Sequence, residues 1–457
     1  MPHLPDPLLA SAAALSPTHD PYAAFRFRAF NFYMSGNFIS IIGRQMLAVA
    51  VEWEIYARTH SATALGLVGL TFALPIVLLS LFAGHAADRF SRKYIIMFAQ
   101  FGGAVASITL AFVSWKHLAM PAWAWLDRGN DFLRSIAGVF ERHQATFHFD
   151  DRSVPLIYLL LLVIGLARTF AWAARSSFFP TLVPRDVFAN AVTWNSSVFQ
   201  IGSVVGPAAC GFLIAHRGFS FVYALDAVAA FLFFIAVLPI PRAKSRPPST
   251  QSAWNSVSAG LRFVFSKRAI LATITLDLFA VLLGGATALL PMFADQILHC
   301  GPIGLGWMRA APAVGAFITA LLVAYLPPIR QAGKTLIICV GGFGAATIGF
   351  GLSHALWLSL AALFFIGAFD SVSVIIRGTI LQLLTPDEMR GRVSAVNNIF
   401  IGTSNEFGAL ESGLTAALVG PVVSVVAGGI GTILVVIGVA RVWPEMLKIG
   451  RLDKSMR

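Results

Sequence analysis

The chain has 457 residues, of which 57% are hydrophobic and only 12% are charged. Soluble domains carry about 25% charged residues, so this composition excludes a chain whose surface faces mainly water, and a lipid bilayer is its expected partner. The net charge of +12 does not indicate a nucleic-acid partner, and we expect none, because basic residues also collect on the cytoplasmic loops of membrane proteins.

Residues 1–27 are predicted to be a cytoplasmic N-terminal tail. They faintly resemble a signal peptide, but they lack a basic start and a sufficiently long apolar stretch. Beyond the tail, apolar stretches predict twelve transmembrane helices, because a span needs about 20 apolar residues and must pair its backbone groups internally. The predicted spans are 28–56, 64–84, 94–115, 154–174, 191–215, 219–240, 269–296, 304–326, 334–353, 356–377, 394–416 and 421–441.

These spans are expected to form an all-α integral membrane fold of two pseudo-symmetric six-helix bundles. Residues 28–240 form the N-terminal bundle and residues 269–441 form the C-terminal bundle. An outer insert at 116–153 separates the third and fourth spans, and its spacing of apolar residues predicts an interfacial amphipathic helix. Residues 241–268 are predicted to be a cytoplasmic linker with an amphipathic helix, and residues 442–457 to be a cytoplasmic C-terminal tail.

The distribution of basic residues predicts the orientation. If the N-terminus lies inside, most Lys and Arg residues outside the spans fall on the cytoplasmic side, as the positive-inside rule requires. Both termini are therefore expected to be cytoplasmic. The few basic residues that fall on the outer side are Arg58, Lys116, Arg128, Arg134, Arg142, Arg152 and Arg217.

An internal repeat supports the two bundles independently. The pairs that share one offset, 377 − 175 = 202, are Arg175/Arg377, Pro184/Pro386, Asn195/Asn397, Gly206/Gly408 and Gly211/Gly413. The earlier pairs that share another offset, 312 − 75 = 237, are Gly69/Gly306, Ala73/Ala310, Pro75/Pro312 and Lys93/Arg330. The difference, 237 − 202 = 35 residues, places the extra length of the first half in the outer insert. Two parallel copies of a six-helix unit are typical of transporters.

Neither a metal nor a cofactor is expected. The three cysteines stand singly, without the spacing of a disulfide framework or a zinc site. No phosphate-binding loop of the GxxxxGK[ST] kind occurs, so energy is expected to come from an ion gradient. A polar loop is the preferred interpretation of the acidic and histidine residues of the insert, over a metal site, at His143, His148, Asp150 and Asp151.

A charged motif lies at the junction of the second and third spans. It contains, in order, Gly84, Asp88, Arg89, Arg92 and Lys93, and it resembles the signature loop of the major facilitator superfamily. The resemblance implies a cytoplasmic gating loop, in which Gly84 allows close helix approach and Asp88 forms ion pairs that latch the two halves. The matching loop of the second half has no Asp, so any latch is one-sided. The alternative is a plain positive-inside loop.

The fifth span carries small residues at helical spacing. Gly202, Gly206, Pro207 and Gly211 resemble the fifth-helix motif of proton-coupled exporters of this superfamily, although Cys210 replaces a usual glycine. Small residues four apart permit tight helix contact, and Pro207 removes one backbone hydrogen bond. The alternative is a generic contact between helices.

Nearly the whole chain, apart from the N-terminal tail and the insert, resembles a bacterial branch of this superfamily that includes enterobactin and macrolide exporters. The stretches that carry this likeness are Arg377–Asn398 and the segment ARSSFFPTLVP before the fifth span. The resemblance implies a multi-pass monomer in the bacterial cytoplasmic (inner) membrane, whose halves alternate around a central site.

Charged side chains inside spans indicate function by default, because they are expensive in lipid. The resemblance implies that the first, fourth, seventh and tenth spans line a cavity, which singles out Arg44, Arg168, Asp277 and Asp370 for substrate binding or proton coupling. Glu406 lies midway along the eleventh span, where a carboxyl group could exchange a proton between the two sides. Structural salt bridges or helix-end positions are the alternative. The other charged residues in spans, expected to be architectural or left undecided, are Asp226, Arg309 and Glu411.

The leading hypothesis is a secondary active transporter that exports an amphipathic small molecule, such as a siderophore, a drug or a lipid-like compound, in exchange for protons. Import, including lysophospholipid uptake, is the alternative within the same fold. A non-transporting receptor carries less weight. So does a membrane enzyme, because no HxxxxD or DxD motif lies near an interface.

Overall fold

The computed structural model describes residues 20–115, 121, 123–141, 151–242, 253–327, 329–448 and 450. Twelve long helices, the first to twelfth spans, account for most of this described part, which contains no strand. In chain order the spans are Arg28–Thr59, Ala62–Arg89, Arg92–Val113, Ser153–Phe178, Phe188–Arg217, Phe219–Val237, Arg268–Leu283, Gly301–Tyr325, Ala332–Gly351, Leu356–Leu384, Asp387–Val419 and Pro421–Val442.

Shorter helices flank or interrupt the spans. The outer helix, Ala124–Phe140, lies in the insert, and the linker helix, Ala253–Ser266, precedes the seventh span. Brief 3-10 turns occur at Ala23–Arg26, Phe179–Thr181, Ala286–Leu289 and Pro444–Lys448.

The eleventh span is more polar than the others. Eleven of the described helices are long and apolar enough to cross a membrane, and this 33-residue helix is not among them. Its sequence includes Asn405, Glu406 and Glu411. It packs against the second span, the seventh span and the linker helix, so protein replaces lipid along those faces and an apolar surface is not required there.

The seventh span departs from the continuous segment predicted at 269–296. Its α-helix, Arg268–Leu283, ends early and is followed by short 3-10, α and π turns. A side chain at Gly285 would meet the backbone oxygen of Gly408 at 2.6 Å, because the eleventh span passes close by at this point. Pro291 then contributes no backbone N–H. These two features together explain the interruption.

Contacts among its own spans hold each bundle together. In the N-terminal bundle the sixth span packs against the first and third, and the fourth span against the second and third. In the C-terminal bundle the tenth span packs against the eighth and ninth, and the twelfth span against the ninth and seventh. Between the bundles, the extensive contacts in the described part join the second span to the eleventh and the fifth span to the eighth. These two pairs are equivalent in the repeat.

Apolar side chains form a core inside each bundle and a third cluster that joins the bundles. Phe30 and Phe233 belong to the core of the N-terminal bundle, and Leu276 belongs to that of the C-terminal bundle. The joining cluster includes Tyr56 of the first span and Phe293 of the interrupted seventh span, both buried. Burial of this shared cluster stabilises the contact between the two halves.

The bundles touch at the end of the molecule that carries the outer helix, which we call the insert end. The opposite end, where the first and last described residues lie, is called the termini end. Gly413 of the eleventh span lies against Gly66 of the second, where an added Cβ would be 2.5 Å from the Gly66 Cα. Gly211 of the fifth span and Gly306 of the eighth form the equivalent crossing, with 3.0 Å between an added Cβ and the opposing Cα. Such close packing depends on glycine.

The outer helix packs on the N-terminal bundle. Leu126, Leu133 and Ala137 form its buried apolar face, and the helix contacts the second and fourth spans. The Glu141 carboxylate, directly after the helix, accepts a hydrogen bond from the Thr63 N–H at 3.0 Å, so it caps the start of the second span. The helix is amphipathic, as the sequence predicts, and its position at the membrane interface stays a prediction.

Arg58, at the end of the first span, anchors the chain where the insert returns to the fourth span. It pairs with Glu54 at 2.6 Å and with Asp151. Burial raises the pKa of Asp151, but hydrogen bonds from Ser153 and the charge of Arg58 outweigh burial, so this pKa lies below its ordinary value. Asp151 thus has a structural partner in the described part of the chain. The other residues weighed for a metal, His143, His148 and Asp150, lie outside the described residues.

Candidate functional site

A cavity of about 760 Å³ lies inside the N-terminal bundle. Its described lining residues come from the first, third, fourth, fifth and sixth spans and from the turn after the fourth, with none from the C-terminal bundle. Four of them carry charge, and the three cations outnumber the single carboxylate. These four are Arg44, Arg168, Arg175 and Asp226.

Hydrogen bonds organise the polar wall of the cavity. Arg44 donates from Nη1 to the Ser40 hydroxyl at 2.7 Å, and that hydroxyl donates to Gln100 at 3.3 Å. On the sixth span, the buried Asp226 accepts a hydrogen bond from the Ser107 hydroxyl at 2.6 Å. Asp226, for which the sequence favours an architectural role, therefore also faces the cavity.

Aromatic side chains also line the cavity. Trp172 on the fourth span and Phe199 on the fifth line the cavity, and each is 53% exposed. Phe179, in the turn that follows the fourth span, adds a third ring. The cavity therefore presents cationic and polar groups together with exposed aromatic surface.

Arg175 is a cavity residue whose only signal in the sequence is its repeat pairing with Arg377. The fourth span runs to Phe178, beyond the predicted end at 174, so Arg175 lies in the helix and not in a loop. Its guanidinium stands over the Phe233 ring at 4.8 Å. Its buried Nε has no hydrogen-bond partner in the described part of the chain.

A second charged cluster lies in the C-terminal bundle. Asp277 of the seventh span pairs with Arg377 of the tenth, and Asp370 lies 3.9 Å from the same guanidinium. Asp277 and Arg377 line a smaller cavity of about 260 Å³. The tenth span continues to Leu384 where the sequence predicted its end at 377, which explains why Arg377 lies among these carboxylates.

Glu406 connects the two bundles at the first cavity. Its carboxylate lies 3.8 Å from the guanidinium of Arg168, which belongs to the fourth span and lines that cavity. The Arg168 side chain is 56% exposed and also stands 5.8 Å from the Phe72 ring. The two groups are thus close but not tightly bonded.

A tighter ion pair joins the bundles nearer the insert end. Arg309 of the eighth span donates to Glu52 of the first span at 2.5 Å and to the backbone oxygen of Thr287 at 2.8 Å. Close by, the Tyr56 hydroxyl lies 3.4 Å from Asp295. Arg309 has the architectural position favoured from the sequence, whereas Glu52 carried no motif that would have identified it as its partner.

The residues of the predicted gating loop lie at the termini end. Asp88 and Arg89 are exposed, Gly84 has no atom within 4 Å of an added Cβ, and none of these makes an ion pair across the bundles in the described part. Arg92 donates to the backbone oxygen of Ser177 at 3.2 Å. Lys93 donates to the backbone oxygens of Leu238 and Ile240, both at 2.7 Å. These three hydrogen bonds lie within the N-terminal bundle, so the latch stays a prediction.

The small residues of the fifth span contact two different helices. Cβ atoms added at Gly202 and Gly206 would meet Ile41 and Gln45 of the first span, whereas one added at Gly211 would meet Pro302 of the eighth. Pro207 lies inside this helix, between the two contact regions. The motif therefore joins a packing surface within one bundle to a crossing between bundles.

The five candidate residues do not form one cluster. Arg44 and Arg168 share the cavity of the N-terminal bundle, Asp277 and Asp370 share the cluster around Arg377, and Glu406 faces Arg168 from the other bundle. Their roles in binding or coupling stay predictions. No group of three or more potential metal ligands occurs among the described residues, 20–115, 121, 123–141, 151–242, 253–327, 329–448 and 450.

Known proteins resemble this chain over most of its length. Residues 33–409 match the family model described as Major Facilitator Superfamily. Enterobactin exporter EntS of Shigella boydii serotype 18 is 27% identical over 412 residues, which cover 90% of each chain. The protein of the same name from Escherichia coli O1:K1 / APEC has the same 27% identity and 90% coverage.

Solved structures share the fold at much lower identity. A bacterial homolog of the human lysosomal transporter Spinster matches with a TM-score of 0.65 at 14% identity, covering 96% of this chain and 100% of the other. A POT family transporter in complex with 5-aminolevulinic acid matches with a TM-score of 0.68 at 10% identity, covering 92% and 97%. The predicted all-α fold of two six-helix bundles is confirmed. The chain belongs to the major facilitator superfamily and is a multi-pass membrane transporter.

Proposed function

We propose that the chain exports an amphipathic small molecule in exchange for protons, by alternating access, across the bacterial inner membrane. In this proposal the chain acts as a monomer with both termini in the cytoplasm, so the termini end faces the cytoplasm. Its partners are the bilayer, the cargo and protons. The observation that carries the proposal is the approach of Glu406 to Arg168, because it places a carboxyl group of one bundle beside the cavity of the other.

The pair of Arg168 and Glu406 supports proton coupling. A cargo group that binds Arg168 competes with the Glu406 carboxylate, and a proton on Glu406 removes its attraction to Arg168. Either event loosens a contact between the bundles, whereas the return of the charged pair restores it. Binding and protonation therefore bias the same rearrangement, which is the requirement for coupled transport.

The lining of the cavity supports an amphipathic cargo. Arg44 and Asp226 supply charge to the lining, and Trp172 and Phe199 supply exposed aromatic surface. The volume of about 760 Å³ is within the usual range for small-molecule sites, about 300–1,000 Å³.

The similarity to exporters supports export as the direction of transport. The curated relatives reported above carry the name of an exporter and align with 90% of this chain. The fifth-span motif, which resembles that of proton-coupled exporters, contacts both the first span and the eighth, where it is placed to couple cavity shape to the crossing between bundles.

Inside-out membrane vesicles test the proposal. Vesicles are energised to become acidic inside, the pH gradient is followed with a fluorescent amine, and compounds to which a deletion strain is hypersensitive are added. For an exporter coupled to protons, addition of a transported compound partly dissipates the gradient. Glu406→Gln is expected to abolish this response, whereas Arg185→Gln, an exposed position that does not line the cavity, retains it.

Two results would contradict the proposal. If the response persists in Glu406→Gln, this carboxyl group does not couple cargo to protons. If cargo instead accumulates in right-side-out vesicles when the outside is made acidic, the chain is an importer.

A further inference from the structure

We propose that the cargo carries a negatively charged group, which binds between Arg44 and Arg175, and an aromatic portion that lies against Trp172 and Phe199. The inference rests on the proposed function in one respect, that the cavity of the N-terminal bundle holds the cargo. It adds the charge class of that cargo, which the motifs leave open.

Arg175 is the cavity cation that lacks a partner in the described part of the chain. An arginine has five N–H donors and stays charged inside proteins. In the described part of the chain Arg175 forms no ion pair, and its buried Nε has no hydrogen-bond partner. The Phe233 ring at 4.8 Å attracts the cation but accepts no conventional hydrogen bond. A buried charge without a counter-charge is costly, so an anionic ligand is the expected partner.

Positive charge exceeds negative charge around the cavity. Asp226 is the single lining carboxylate among the described residues, and it accepts its hydrogen bond from Ser107 and does not pair with Arg44 or Arg175. Glu406 approaches from the other bundle and is nearest to Arg168. Even with both carboxylates counted against the three arginines, one positive charge is in excess.

In the other half of the same molecule, the equivalent arginine has carboxylate partners. Arg377, the repeat equivalent of Arg175, pairs with Asp277 and lies 3.9 Å from Asp370. At the same offset of 202, the equivalent of Asp370 is Arg168, since 370 − 202 = 168. Where the C-terminal bundle supplies a carboxylate for its arginine, the N-terminal bundle supplies a second cation. The unpaired Arg175 is therefore a specific departure from the repeat.

The chemistry of the cargo follows from these groups. A guanidinium fork binds carboxylate, phosphate and other oxyanions with two parallel hydrogen bonds. Aromatic walls favour a planar ring beside that group. An aromatic oxyanion fits the cavity, whereas a cationic amphiphile would face three arginines.

A matched pair of probes tests this inference with the purified full chain in lipid nanodiscs. The probes are 2-naphthoate and 2-naphthamide, which share a ring system and differ in charge, and binding is measured by calorimetry against empty nanodiscs. We expect naphthoate to bind at least about tenfold more tightly, which is the effect of one charge-assisted hydrogen bond. Arg175→Gln is expected to remove most of this preference, Arg175→Lys to keep part of it, and Arg185→Gln to keep it fully.

Equal affinities for the two probes, tighter binding of naphthamide, or no binding of naphthoate in the millimolar range would overturn the inference. The wild-type comparison decides this even if Arg175→Gln fails to fold. The vesicle assay separates the two proposals. If naphthoate binds more tightly but no compound changes the pH gradient, proton coupling is wrong and the anionic cargo stands. If a cationic compound changes the pH gradient and the two probes bind equally, the anionic cargo is wrong and proton coupling stands.

Discussion

At the scale of single residues, the two halves use equivalent positions with opposite charge. Arg168 and Asp370 share the repeat offset. Each lies about two helical turns before an arginine, Arg175 or Arg377, since 175 − 168 = 7 and 377 − 370 = 7. In the C-terminal bundle this arrangement yields a local ion pair, because Asp277 also approaches Arg377. In the N-terminal bundle it yields a cavity with excess positive charge. Two copies of one helix unit have thus diverged into an ion-paired cluster in one half and a cavity whose lining cations outnumber its carboxylate in the other.

The buried pair of Asp277 and Arg377 makes a prediction for stability. The two side chains are 10% and 12% exposed, so Arg377→Gln leaves a buried carboxylate without its main cation. We expect the free energy of unfolding to fall by about 3–5 kcal/mol, the usual effect of removing one partner of a buried pair. The measurement is the midpoint of thermal unfolding in detergent.

The matched control for that prediction is Arg330→Gln, which removes an exposed arginine from the loop after the eighth span. The double variant Asp277→Asn/Arg377→Gln is expected to recover part of the loss, because it no longer buries an uncompensated charge. A midpoint for Arg377→Gln equal to that of Arg330→Gln would show that the pair does not support the bundle.

At the scale of helices, two glycine crossings connect the bundles, and they are repeats of one another. Gly211 and Gly413 share the offset of 202, and each meets a glycine on its partner span, Gly306 or Gly66. One glycine pair that identifies the repeat in the sequence, Gly211/Gly413, thus lies at the crossings between the halves. Because both crossings lie at the insert end, they are placed to act as the pivot or seal of that end.

Gly211→Ala tests the importance of this geometry. The new Cβ would overlap the backbone oxygen of Pro302 and lie 3.0 Å from the Gly306 Cα, so the two helices must separate. We expect a loss of about 1–3 kcal/mol in stability from overpacking, and a lower rate of vesicle transport. Gly438→Ala is the control, because no atom lies within 4 Å of a Cβ added there. Equal midpoints and equal transport for the two variants would refute a role for the crossing.

At the scale of the whole molecule, the sequence predicts the architecture well because its signals are local or periodic. Span length, the placement of basic residues and the two repeat offsets together indicate two six-helix bundles with one insert. Which side chains pair with each other is harder to predict from the sequence. Arg175 falls inside a helix only because the fourth span continues past its predicted end, and Arg377 lies at the predicted end of the tenth span, which also continues further. At the break in the seventh span, Pro291 is a local signal, but the close approach of the eleventh span to Gly285 is not visible in any local pattern.

The ion pair between Glu52 and Arg309 illustrates the same limit. The two residues belong to the first and eighth spans, and neither lies in a motif. Sequence reasoning identifies Arg309 as a charge inside a span but cannot choose its partner, since partner choice across bundles depends on how the halves are docked. The apolar cluster around Tyr56 and Phe293 surrounds the same region, so the pair belongs to the contact that closes the insert end.

Glu52→Gln therefore tests how the whole molecule changes state. Arg309 and Glu52 are 20% and 16% exposed and lie 2.5 Å apart, so the pair is largely shielded from water. A charge-assisted hydrogen bond contributes about 1.5–3 kcal/mol, and its loss should raise the population open at the insert end by about tenfold or more. Spin labels at Arg217 and His299, both exposed at the insert end, report this opening by pulsed electron resonance in a Cys300→Ser background.

The expected result is a longer-distance component between the two labels in Glu52→Gln. Glu445→Gln is the matched control, because Glu445 pairs with Arg268 at 3.7 Å on the exposed surface of the termini end, where removal of an ion pair has little effect. If the distance distribution of Glu52→Gln matches that of the control, the pair does not hold the insert end closed. The closure of that end would then depend on the glycine crossings, the apolar cluster and the hydrogen bond from Tyr56 to Asp295, which also join the bundles there.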